Sequence, residues 1–220
     1  MKNNLKDEIK AVLSSISASS PVLQRRTRVD KLYEIYVSTR VLSALQRINA
    51  SQIQVHDRQD NITSVLNYRL APGVIYGNAP SSHISFMLRG KAYEMQNGVR
   101  VLGKSSVLHE LDICIVDRTH AIKCRRTNFH PKGNKLSLAI ECKYYGKRLP
   151  LRLGREYLGL VKEFPNCTIK TLVTNVPNSG INDVRKLISG NGGMTNHQMI
   201  PQRQEQFISY LTEVLDSMLP

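Results

Sequence analysis

The chain has 220 residues, 41% hydrophobic and 22% charged, a balance that excludes a disordered polypeptide and suits one folded domain with or without an added subdomain. Its 31 Lys and Arg against 17 Asp and Glu leave a formal net charge of +14, which points to a polyanionic partner, nucleic acid first. No basic amphipathic helix with a bulky aromatic face and no lipidation signature stands out, so no membrane partner is expected; no apolar run approaches the roughly 20 residues of a membrane span, and MKNNLKDEIK lacks the apolar centre of a signal peptide, so a cytoplasmic location is expected.

Leu5, Ile9, Val12, Leu13 and Ile16 recur at helical spacing and predict a short amphipathic helix that ends in the Ser-rich stretch from Ser17 to Pro21. Residues 1–28 read as an N-terminal helical extension, and residues 29–220 as the main domain with its C-terminal helices. A longer helix follows, in which Val29, Leu32, Tyr33, Tyr36, Val37, Leu42 and Leu45 keep one apolar face over about five turns. Glu34 lies beside that face. The segment from Asn49 to Pro80 is weakly patterned, with turn signals at Asp57, Asn61, Pro72, Gly73 and Gly77, and predicts loops with one short strand. From Ser82 the period becomes two. His83–Leu88 and Ala92–Met95 flank a hairpin turn at Arg89-Gly90, and Val99–Leu102 extends the second strand. Leu108–Val116 and Leu136–Tyr144 are further strands, joined by a basic, turn-rich connection. Leu153–Phe164 reads as a helix, Thr168–Thr174 as a strand, Ile181–Ile188 as a helix, Gly190–Gly193 as a flexible loop and Gln204–Leu219 as an amphipathic helix. This order predicts an α/β fold with a central mixed sheet flanked by helices.

Side chains alternate across a strand. In His109–Ile115 that places Leu111, Ile113 and Ile115 on one face, with Glu110 and Asp112 on the other. In Leu138–Lys143, Leu138, Ile140 and Cys142 oppose Ala139, Glu141 and Lys143. If the two strands are neighbours, Asp112, Glu141 and Lys143 converge. Two carboxylates suit Mg²⁺ or Mn²⁺, hard cations that take oxygen ligands, and the Cys142 carbonyl offers another. An ammonium beside such a site orients an attacking water and steadies a phosphorane-like transition state. From Arg118 to Arg155 there are eleven Lys or Arg residues and one acid, Glu141, a local excess of ten. A lone carboxylate kept in a strand within so basic a stretch fits a metal ligand where phosphates arrive.

Asp112, then the strand-borne Glu141-Cys142-Lys143 about 30 residues later, then the helix around Arg155-Glu156-Tyr157, resembles the PD-(D/E)XK nuclease superfamily. Restriction endonucleases, Holliday-junction resolvases and many phage-defence nucleases belong to it. The resemblance spans Asp30 to Thr174 and implies a restriction-endonuclease-like αβββαβ core. It also implies that Asp112 and Glu141 bind Mg²⁺, that Lys143 assists the attacking water, and that Glu34 joins from the preceding helix. The implied activity is endonucleolytic cutting of DNA, more than RNA, to 5′-phosphate and 3′-hydroxyl ends, with a defence role by analogy. Leu111 stands where the namesake motif has proline, and the helix after Lys143 carries no motif that fixes a subfamily. Arg125, Arg126, Lys147, Arg148, Arg152 and Arg155 are the candidate nucleic-acid contacts. A two-fold dimer would place two sites on a duplex.

Plainer readings stand beside these. Glu141 and Lys143, two residues apart, also form a structural pair. Glu110 and Glu34 also suit solvated positions, and Tyr144 and Tyr145 suit packing as well as base stacking. The same fold without turnover would be a nucleic-acid-binding protein, and a basic α/β subunit of a larger assembly would share the charge. Cys114, Cys124, Cys142 and Cys167 form no CxxC pair and read as small buried hydrophobes. A zinc site from Cys114, Cys124, His109 and His130 fits no usual spacing.

Overall fold

The computed structural model describes residues 2–189, 193–196 and 201–217. Two helices, α1 (Lys2–Ser14) and α2 (Val29–Arg47), precede strands β1 (Ser51–His56), β2 (His83–Leu88), β3 (Lys91–Leu102) and β4 (Leu108–Asp117). Helix α3 (Arg118–Thr127), strand β5 (Leu136–Lys143), helix α4 (Leu151–Glu163) and strand β6 (Ile169–Thr174) follow. Helix α5 (Asn182–Ile188), strand β7 (Gly193–Asn196) and helix α6 (Pro201–Ser217) complete the order. The strands form one mixed sheet in sequence order, antiparallel from β1 to β5 and parallel from β5 to β7. The α/β architecture with helices around a mixed sheet is therefore observed.

The sheet is covered on both faces. Leu5, Ile9 and Leu13 of α1 and Leu32, Tyr33 and Tyr36 of α2 share a core with Ile113, Ile115, Leu138, Ile140 and Cys142. The opposite face packs Cys114, Val116 and Ala139 against Ala121 and Cys124 of α3, and Leu172 against Leu153, Tyr157 and Val184 of α4 and α5. Burying a leucine or isoleucine of this kind contributes about 1.5–3 kcal/mol. Helix α2 is the central support, buried along most of its length, with Asp30 in the first turn and Arg47 in the last complementing its dipole.

Three elements differ from the sequence reading. The connection after β4 is not only turns. Arg118–Thr127 forms α3, started by the Asp117 side chain accepting from His120 N at 2.7 Å and ended by Asn128 in a left-handed conformation. As expected, Val99–Leu102 extends the second strand, and β3 runs for 12 residues. Strand β7 begins at Gly193, while the rest of the loop expected at Gly190–Gly193 lies outside the described residues. The alternation in β4 also breaks. Leu111 packs with Val99 and Val101, whereas Ile113 and Ile115 face α2.

The break occurs at the same level in both strands. Tyr93 and Met95 of β3 lie in the α2-side core, and Val99 and Val101 lie in the other. Between them Gly98 has φ +54, and it falls opposite Asp112, between the pairs Asn97–Ile113 and Val99–Leu111. A side chain there would meet Arg69 at 3.2 Å. The segment after β1 uses this gap. Gly73 N donates to Gly98 O at 2.9 Å, and Arg100 N donates to Gly73 O at 2.8 Å. The backbone change that a glycine permits thus sits at the level of Asp112. No helix among the described residues is long and apolar enough to cross a membrane.

Candidate functional site

Strands β4 and β5 pair from Val116–Leu136 to Ile113–Ile140, where the ladder ends. Beyond that point the Asp112 carboxylate bridges the strands, its Oδ2 accepting from Cys142 N at 2.7 Å. β5 instead pairs with β6 through Lys143, which fixes Glu141 and Lys143 on an extended backbone. Helix α2 crosses over this opening and brings in Lys31 and Glu34. The result is a cleft of about 720 Å³ whose charged lining includes Lys31, Glu34, Glu110, Asp112, Glu141 and Lys143. A smaller cleft of about 300 Å³ on the α4 side shares Glu110, Glu141 and Lys143, so these three border both openings.

The electrostatics are those of crowded acids. Asp112 is 8% exposed, and burial pushes its pKa above the usual aspartate value despite the Cys142 N–H, Lys143 and Lys31. Burial, then the neighbouring Asp112 charge, push Glu34 up to about 7. The same two causes, in the same order, push Glu141 up to about 7 and raise Glu110. Two ammonium groups answer them. Lys31 Nζ donates to both Glu34 oxygens at 2.8 Å, and Lys143 Nζ donates to Glu141 Oε1. Burial disfavours the charged form of Lys143, yet Glu141 and Asp112 more than offset it, so it stays protonated above the usual lysine range. When all four carboxylates are ionised, as a bound cation would favour, they exceed the two ammonium groups by two charges, the complement of one divalent cation.

The structure thus brings Asp112, Glu141, Lys143 and Glu34 together, with Cys142 holding Asp112 through its backbone. Its thiol faces the apolar core. Of the expected phosphate contacts, Arg125 is placed otherwise. Its guanidinium pairs with Glu94, which is fully buried, and with Asp60. A guanidinium enclosed by acids is closed to a phosphate. Arg126 is exposed on α3 and Arg148 pairs with Asp183, while Lys147 is exposed between β5 and α4, and Arg152 and Arg155 are exposed on the first turns of α4. Tyr144 packs on Tyr33, with ring centroids 5.5 Å apart. Cys114, Cys124, His109 and His130 do not assemble a zinc site, since His130 bonds Tyr76 and His109 faces Glu163. Sequence reasoning passed over Lys31. Its position three residues before Glu34, where helical side chains meet, was the available signal.

Among the described residues, one group brings three metal-type ligand atoms within 4.8 Å of one another, namely His56, Asp60 and His83. Asp60, however, already accepts from Arg118 at 3.1 and 3.2 Å, and Arg118 and Arg125 flank Glu94. His83 reaches Asp60 at 3.1 Å, and its burial favours the neutral ring. Two carboxylates and two guanidinium groups already balance, so a divalent cation would add uncompensated charge beside two arginines. The group is better suited to fastening the turn around Asp60 and helix α3 onto β2 and β3.

No family model and no curated protein matches the chain. Among solved structures, the crystal structure of protein VC1899 from Vibrio cholerae superposes with a TM-score of 0.34 at 13% identity, over 99% of this chain and 57% of that one. A likeness at that level carries no argument about fold family or activity.

Proposed function

We propose that the chain is a divalent-metal-dependent nuclease of the PD-(D/E)XK, restriction-endonuclease-like kind that hydrolyses phosphodiester bonds of DNA. The observation that carries this reading is the meeting of Asp112, Glu141, Lys143 and Glu34 in one cleft. They come from three separate elements of a chain with net charge +14. A structural ion pair needs one acid and one base. Four half-covered acids whose ionisation is mutually disfavoured are costly to the fold, and such strain is characteristic of functional sites.

The donor set is all oxygen, which suits Mg²⁺ or Mn²⁺ over softer metals. Asp112 and Glu141, with Glu34 and the Cys142 carbonyl, would hold the ion. The bound ion would supply Lewis acidity and neutralise charge on the scissile phosphate. The chain's own residues do the rest. The Cys142 N–H locks the Asp112 carboxylate, so one ligand is preorganised at no cost during reaction. Lys143 remains an ammonium, and therefore orients water and stabilises developing negative charge; it is not suited to removing a proton. Lys147, Arg152 and Arg155 are exposed on the connection to α4 and its first turns, where they can guide a polyanion toward the cleft.

The test is cleavage of plasmid and linear DNA in Mg²⁺, Mn²⁺ or EDTA by wild type, Lys143→Ala and Asp112→Ala, each shown to be folded. Metal-dependent cutting that disappears in both variants supports the reading. Equal cutting by the folded variants refutes it, and salt-sensitive binding without cutting by any of them favours a silent nucleic-acid-binding protein.

A further inference from the structure

Lys31 is a lysine with its charge turned inward. It stands in the first turn of α2, its side chain 22% exposed, and its ammonium grips both oxygens of Glu34. It lines the same cleft as Asp112, Glu110 and Glu141, so its charge lies within reach of the whole cluster. An exposed lysine at a helix start would lose little by pointing to water. Here it is held among acids, and the hydrolytic reading assigns it no task.

Two further observations give it one. First, no three of the cleft's acids bring their ligand atoms within 4.8 Å of one another, although three side chains elsewhere among the described residues do. The acids are instead engaged by ammonium groups, with Lys31 on Glu34 and Lys143 on Glu141. Second, Lys31 Nζ lies 2.8 Å from each Glu34 oxygen, so a cation approaching this carboxylate meets a like charge in contact with both oxygens.

We propose that Lys31 is the resident counter-ion of the carboxylate cluster, holding Glu34 in the metal-free protein and yielding it to a divalent cation, and thereby setting the metal affinity of the site. This rests on the metal-centre reading of the cleft. With Lys31 present, the lining carries two surplus negative charges, and one divalent cation neutralises them. Without it, three remain, and no ammonium has to be displaced from Glu34. Both changes favour the cation. Lys31 is thus a positioning residue with a restraining effect: it keeps four acids from repelling one another before metal arrives, and it weakens metal binding in return.

The experiment is calorimetric titration of the metal-free protein with Mn²⁺, which reads binding without turnover. Wild type is compared with Lys31→Met, which keeps the apolar stem, with Lys31→Gln as a second variant, and with both changes repeated in a Glu34→Gln background. Removal of the ammonium should tighten Mn²⁺ binding about tenfold, a change of the size expected when a charge-assisted hydrogen bond to Glu34 no longer has to be given up. Most of that gain should vanish when Glu34 is already glutamine, because the two residues act as a pair. Unchanged or weaker binding by both folded variants overturns the inference, as does a full gain that persists with Glu34→Gln. Those outcomes leave the metal centre standing. No Mn²⁺ binding by wild type or any variant would instead sink the metal-centre reading, and this inference with it.

Discussion

Replacing Glu141 with glutamine should stabilise the metal-free protein while removing a ligand it needs. Burial and the Asp112 charge raise Glu141 from an ordinary carboxylate value to about 7. At pH 8, ionising it costs the folded protein about 3 kcal/mol more than it costs the unfolded chain, at 1.36 kcal/mol per pH unit. Glutamine is neutral and avoids this, but it leaves Lys143 without its charged partner, which reduces the net gain to about 1–2 kcal/mol. For a chain of this length that is a rise of about 2–6 °C in the unfolding midpoint. The sign follows from proton binding. Between the unfolded value near 4.5 and the folded value near 7, the native state holds more protons than the unfolded chain, so wild type loses stability as pH rises through this window. Below it, both states are protonated and the advantage of glutamine disappears. Thermal denaturation in EDTA from about pH 4 to 8.5 should therefore show curves that converge at the acid end, draw apart as pH rises from 4.5 to about 7 and run parallel above it. Adding Mn²⁺ should raise the wild-type midpoint at pH 8 far more than that of the variant. A variant that melts below wild type at pH 8, or a difference that does not change with pH, would refute the reasoning.

Arg125→Ala should cost about 3 kcal/mol in urea denaturation, because it strips the fully buried Glu94 of a partner, and pairing it with Glu94→Gln should recover part of that loss; a loss below about 0.5 kcal/mol, the size of a surface change, would contradict the fastening role. Gly98→Ala should cost about 2 kcal/mol, since φ +54 and the approach of Arg69 both resist a side chain, and it should weaken cutting through Asp112 on the adjacent strand. Arg152→Ala and Arg155→Ala should leave the unfolding midpoint unchanged and each lower the salt slope of DNA binding by about 1, equally on unrelated sequences. An effect confined to one DNA sequence would instead indicate base contact.

Local pattern and composition were enough for much of this protein. Short apolar runs with a two-residue period identified strands β2, β4, β5 and β6, because each lies in a sheet covered on both faces and buries most of its side chains. The apolar face of α2 identified the helix that supports the sheet and placed Glu34 at its margin. The spacing of Asp112, Glu141 and Lys143 marked the candidate site, since acids inside apolar strands are seldom there without a partner. Helix α3 was less legible. Its ten residues are mostly polar, and its apolar contact rests on Ala121 and Cys124, too little for a clear stripe.

What the tertiary structure decided was how charges meet across the chain. Arg125 and Arg126 are adjacent and look alike in sequence, yet one is enclosed by Glu94 and Asp60, which lie 31 and 65 residues away, and the other is exposed. The same holds for Lys31, whose inward grip on Glu34 matters only because α2 crosses the opening between β4 and β5. The face switch at Gly98 and Asp112 needed two strands and the Gly73 segment together. Periodicity reports which side of an element is apolar. It does not report which distant charge will lie opposite, because that depends on packing between elements, and on this the candidate site depends.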